Sequence, residues 1–154
     1  MIVFIDSSIL GKICNPNNSQ EIVDIQKWLF KLLGRGVRVV SSDICDYEIR
    51  RSLLLEQRRN AEIQGIEKLD ESKDLIEFLP VTDEILLIAA ELWADARVLG
   101  QPTADDLSLD ADLIICATWR LLTAAEPGRY NVIATTNVKH LSRFAIAEKW
   151  QDIG

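Results

Sequence analysis

A single histidine, His140, and three scattered cysteines, Cys14, Cys45 and Cys116, limit the chemistry open to this chain of 154 residues. An odd number of distant cysteines does not make a disulfide framework, and one histidine cannot join them in a zinc spacing. They read as reduced, mostly buried thiols. No Ser/His or Cys/His arrangement stands out for nucleophilic catalysis. Long apolar runs are missing too: the longest falls far below the length that spans a bilayer. No basic stretch followed by an apolar core opens the chain, so a secretory signal is not expected and the expected location is cytoplasmic, with no membrane partner. Positive charge is in short supply, with 17 Lys and Arg against 24 Asp and Glu and a net charge of −7. That argues against broad electrostatic attraction to nucleic acid. It leaves a metal-dependent nuclease open, because bound divalent cations reverse the potential inside a site. Repeats, low-complexity stretches and dividing linkers are absent, so a single domain over 1–154 is expected.

What is present is an alternation of segment types. Ile2-Val3-Phe4-Ile5 is a short apolar run that reads as a buried strand over 2–6. Ile22, Ile25, Trp28, Leu29, Leu32 and Leu33 recur at helical spacing over 20–33, with Gly34 as the stop. Val37 to Val40 is a second strand. Ser42 or Asp43 caps a long helix carrying Ile44, Tyr47 and Leu53 to Leu55. A helix over 61–71 and a third strand over 76–81 follow, with Pro80 marking an edge or strand end. Thr82 opens a helix running to about Leu99, where Gly100 ends it. After a polar loop with Pro102, Thr103, Asp105 and Asp106, read as solvated, Asp110 starts a helix over 111–124. A strand over 131–135 comes next. Strands separated by helices imply parallel pairing, so the expectation is a three-layer α/β/α fold with a central parallel sheet of four or five strands. Such sheets collect ligands at the carboxyl ends of their strands, at a switch in strand order.

Four polar positions gain meaning in that frame. Asp6 ends the first strand. Glu48 lies one turn inside the helix after the second. Asp112, with Asp110 two residues before it, opens a later helix, and Asn137 follows the last clear strand. All four converge on one edge in a fold of this kind. Carboxylates ~4–5 Å apart at an effective dielectric near 20 repel by roughly 3–4 kcal/mol per pair, so a cluster needs a cation or shared protons. Oxygen ligands without histidine or thiolate favour Mg²⁺ or Mn²⁺. Of Asp110 and Asp112, one is the helix cap and the other the ligand; the spacing to Ile115-Cys116-Ala117 favours Asp112, with Asp110 as helper. Each position also has a plainer reading. Asp6 can cap a turn, Glu48 can pair with Arg51, and Asn137 suits a turn. The tryptophans at 28, 93, 119 and 150 read as packing rather than base-stacking residues. Arg50 and Arg51 read equally as a solvated helix face or as a contact for phosphate or partner.

These residues carry a family resemblance. Ile5-Asp6-Ser7-Ser8, Tyr47-Glu48-Ile49-Arg50-Arg51-Ser52-Leu53, Asp112-Leu113-Ile114-Ile115-Cys116-Ala117-Thr118 and Thr135-Thr136-Asn137-Val138-Lys139-His140-Leu141 resemble, in order, four motifs of the PIN-domain family, and within it of the VapC-type toxins of bacterial toxin–antitoxin pairs. The resemblance runs through the whole chain. It implies a Mg²⁺- or Mn²⁺-dependent endoribonuclease that hydrolyses RNA phosphodiester bonds, forms a homodimer and is inhibited by a cognate antitoxin protein. Asp6, Glu48 and Asp112 would hold the metal with Asp110 assisting, and Asn137 would complete the catalytic set. Two positions depart from the pattern. Asn137 is uncharged where many relatives carry Asp, and Cys116 stands where Ala is more common. The Asn137 departure keeps a second reading in play, a catalytically weak PIN-like module that binds RNA or a partner protein. A haloacid-dehalogenase-type phosphatase would want a second Asp where Ser8 stands.

Overall fold

The IVFI run is buried at all four positions, which suits a strand covered on both faces. In the computed structural model, which describes residues 1–62, 64–100 and 110–154, this run is β1 (Ile2–Ile5), the middle strand of a five-stranded sheet. β2 (Arg38–Ser42) and β4 (Asn131–Ala134) flank it, and β3 (Glu77–Leu79) and β5 (Ala147–Glu148) form the edges, giving the order β3-β2-β1-β4-β5. Every pairing is parallel, with Val3 opposite both Val39 and Val132. Helices flank the sheet in a three-layer α/β/α arrangement: α1 (Ser7–Ile13), α2 (Gln20–Gly34), α3 (Asp43–Arg59), α4 (Gly65–Ser72), α5 (Asp83–Val98), α6 (Ala111–Ala125) and the single turn α7 (Val138–Leu141). None of the described helices is long and apolar enough to cross a membrane.

The strand order decides where a site can form. The chain lays β2 and β3 on one side of β1, then crosses to lay β4 and β5 on the other. The carboxyl ends of β1 and β4 therefore border the switch point, where the connections leave in opposite directions and open a crevice.

Several elements match the residue pattern and others depart from it. Ser42 is the cap of α3, its hydroxyl accepting from the Ile44 amide at 3.3 Å, and Thr82 caps α5 in the same way through Ile85. β2 runs two residues beyond the expected end, because Ser41 finds a buried partner: its hydroxyl donates to the Ile5 carbonyl at 2.8 Å. α2 continues through Gly34 and stops where Gly36 takes φ +72, a conformation that glycine adopts without steric cost. β3 shortens to three residues and ends before Pro80, and α4 starts at Gly65 rather than 61. α1, α7 and β5 have no counterpart in the sequence reading. The polar loop with Pro102, Thr103, Asp105 and Asp106 lies outside the described residues.

Of the tryptophans, Trp28 and Trp119 are buried. The Trp28 indole donates to the Ile153 carbonyl at 2.6 Å and its ring lies 5.9 Å from that of Trp150. Trp93 is more exposed, with the Arg97 guanidinium 4.2 Å from its ring centre.

The two faces of α2 give a direct test. Leu32 is fully buried, whereas Phe30, two residues away, is 58% exposed. Leu32→Ala should cost about 2–5 kcal/mol of unfolding free energy, and Phe30→Ala should stay within about 0.5 kcal/mol. Urea unfolding of both variants checks this; equal losses would contradict the placement of the α2 apolar stripe.

Candidate active site

The site starts from a charge that the fold has buried. β1 ends at Ile5, and Asp6 follows it almost wholly out of solvent. Its Oδ1 accepts from the Ile9 amide at 3.1 Å, so Asp6 is the N-cap of α1. The same oxygen accepts from the Ser8 hydroxyl at 2.6 Å. Oδ2 accepts from the Thr135 hydroxyl, 2.5 Å away, across the switch point from the end of β4. The plain reading of Asp6 as a cap is therefore correct, and it is compatible with a second role, because a carboxylate can accept more bonds than a cap uses. Burial raises the Asp6 carboxyl above its ordinary value, and the Ser8 and Thr135 hydroxyls and the Ile9 amide work against that rise.

Hydroxyls extend the arrangement outward. The Ser8 oxygen accepts from the Thr136 amide at 3.0 Å, and the Thr135 hydroxyl oxygen accepts from the Asn137 amide at 2.9 Å. The loop after β4 is thereby tied to the start of α1. Asn137 sits at the N-cap position of α7, exposed, and its side chain makes no capping bond. On α3, the Glu48 Oε1 accepts from the Ser7 hydroxyl at 2.5 Å. Its other oxygen lies 3.9 Å from Arg51, the i,i+3 pair expected from the sequence, but that is the longer contact and Arg51 is 56% exposed.

Asp112 stands in the first turn of α6, two residues after Asp110, which occupies the N-cap position without a side-chain capping bond. The Asp112 carboxyl is raised above 3.8, first by burial and then by the negative charges of Asp110, Asp6 and Glu48; His140 opposes these. The structure thus brings Asp6, at the end of β1, Glu48 on α3 and Asp110 at the start of α6 within electrostatic reach of Asp112. Arg50 belongs elsewhere. It forks onto Asp46 at 2.8 and 2.9 Å and reaches Asp70 at 2.7 Å, tying α3 to α4. Its guanidinium, though part exposed, is committed to these two carboxylates.

Among the described residues, no three acidic, histidine or cysteine side chains are grouped closely enough, as folded, to form a ready cage for a metal ion. The chemistry of the donors nevertheless suits a hard divalent cation. The carboxylates Asp6, Glu48, Asp110 and Asp112 offer oxygen alone, and the repulsion that Asp112 feels from the other three is what such a cation relieves. The three cysteines are free and buried. Burial pushes each thiol up to about 12, which disfavours the thiolate. Reasoning from sequence had not singled out Ser7 or Thr135, although both lie inside the quoted motifs; the signal was a hydroxyl beside an acidic or amide residue at a strand end.

No protein-family model matches the sequence, and no curated protein sequence matches it. Solved structures do. A chain of VapBC-1 from nontypeable Haemophilus influenzae superposes with a TM-score of 0.69 at 20% identity, covering 98% of this chain and 99% of that one. A chain of VapBC2 from Rickettsia felis, in a complex bound to a DNA fragment from their promoter, gives a TM-score of 0.69 at 19% identity over 97% and 99%. The protein therefore shares its fold, over nearly its whole length, with chains of VapBC structures. Its architecture is PIN-like.

The raised Asp112 carboxyl makes a signed prediction for the metal-free protein. When a carboxyl has a folded pKa above its unfolded one, the stability it confers is full below the unfolded value, here 3.8, and is lost as pH rises through the folded value. Asp112→Asn removes that loss. In EDTA, the variant should melt higher than wild type at about pH 7, and the gap should narrow towards about pH 4. Thermal unfolding across that range is the measurement; a constant gap would mean that Asp112 is not electrostatically strained.

Proposed function

We propose that this protein is a Mg²⁺- or Mn²⁺-dependent endoribonuclease, the toxin of a type II toxin–antitoxin pair, working as a homodimer that a cognate antitoxin protein inhibits. The observation that carries the reading is the half-buried Asp112 carboxyl, on which the charges of Asp110, Asp6 and Glu48 all act, beside the switch point of a PIN-like sheet. The fold shared with VapBC chains supports it. So does α5, which leaves Leu86, Leu87 and Trp93 exposed, an apolar area suited to a second copy.

In this reading Asp6, Glu48 and Asp112 hold the cation, with Asp110 assisting. When bound, the cation supplies an activated water for in-line attack and neutralises charge on the phosphoryl group. The chain's own contributions are positional. Ser8, Ile9 and Thr135 fix the Asp6 carboxylate by donating hydrogen bonds, which favour its charged form against burial. The hydroxyl ties from Ser8 and Thr135 to the backbone of Thr136 and Asn137 hold the β4 loop in place. Asn137, exposed at that rim, presents a carboxamide able to donate to a phosphate oxygen without adding charge. The net charge of −7 leaves RNA affinity dependent on the cation.

A second reading is favoured by one observation, the lack of a ready three-ligand group among the described residues. A PIN-like module that binds RNA or a protein partner without cutting needs no such group.

Purified protein should cleave RNA in Mn²⁺ and lose that cleavage in excess EDTA; undiminished cleavage would sink the cation-dependent reading. Asp6→Asn should lower the cleavage rate by at least about a hundredfold, more than loss of a group that only orients a ligand, while leaving the metal-free melting temperature unchanged or higher. Lost activity accompanied by a large fall in melting temperature would make Asp6 structural only. A protein that binds the product of a neighbouring gene but never Mn²⁺ would support the module.

A further inference from the structure

We infer that Ser7 is a positioning residue for Glu48: its hydroxyl locks the carboxylate from α3 into the crevice at the end of β1. The inference rests on the proposed role of Glu48 as a ligand and adds a residue to it. Glu48 comes from a different helix than the other acids and has three rotatable side-chain bonds. Nothing in α3 itself turns its carboxylate inward. Its partner on that helix, Arg51, lies 3.9 Å away and is largely exposed, so that pair draws the carboxylate towards solvent. Ser7 supplies the opposing hold. It is the first residue of α1, and its hydroxyl reaches Oε1 at 2.5 Å, the short separation of a hydroxyl donating to a charged oxygen.

The direction of that bond is fixed by the acceptor, because an ionised carboxylate has no hydrogen to give. Ser7 and Ser8 thus divide the work. The second serine holds Asp6, the first holds Glu48, and their adjacency links two carboxylates that are 42 positions apart in the chain.

The test is a double-mutant cycle, Ser7→Ala, Glu48→Ala and both together, read in two ways on the full chain. The first readout is the Mn²⁺ dissociation constant without RNA, followed by the electron-spin signal of free Mn²⁺. Ser7→Ala should weaken binding about tenfold, within the range for groups that orient a ligand. It should have no further effect in the Glu48→Ala background, and Ser7→Thr should restore wild-type binding. The second readout is metal-free urea unfolding, in which the two substitutions should be non-additive. Additive effects in both readouts, or Mn²⁺ binding by Ser7→Ala equal to wild type, would overturn the inference. If wild type binds no Mn²⁺, the cation reading falls, and metal-free coupling still decides for or against the hold of Ser7 on Glu48.

Discussion

A carboxylate taken out of water at the end of a central strand must be given hydrogen bonds, and the surroundings of Asp6 are organised by that demand. One donor is the Ile9 amide, which makes the carboxylate the start of α1. Another is Ser8, which in turn receives the Thr136 amide. The third is Thr135, which couples β1 to β4 and also receives the Asn137 amide. Without these partners the buried charge would be a defect. With them it is a fixed point from which the first helix, the switch-point crevice and the loop after β4 take their positions.

The parallel sheet makes this economical. Its strands end on one side, so polar residues that immediately follow the apolar runs gather at one edge without any being near another in sequence. Asp6 follows β1, Ser42, the cap of α3, ends β2, and Thr135 follows β4. Burial of the strands sets the register, with Ile5 opposite Ala134, and the register sets which side chains face the crevice. Core packing and site geometry are in this sense one constraint.

Much of this was legible in the residues because it follows from periodicity. The central strands, the long helices α2, α3, α5 and α6, and the caps Ser42 and Thr82 all show in apolar spacing and hydroxyl placement. What escaped has too little periodicity to read. α1 is seven residues long with Gly11 inside it, and its start depends on a carboxylate that reads equally well as a site residue. β5 has two residues and is defined by its pairing with β4. Of the site, the acidic positions stood out because carboxylates after apolar runs are conspicuous. Ser7 and Thr135 did not, since their partners lie 41 and 129 positions away and no local pattern reports a contact of that span.

That last span bears on when the chain becomes competent. Asp6 is synthesised 129 positions before its buried partner Thr135. β1 lacks one of its two neighbours until β4 exists, and parallel pairing over so long a separation is slow to form. A growing chain therefore carries all four carboxylates before it carries the strand that closes the crevice around them. The crevice is therefore complete only once β4 has been made and has paired with β1.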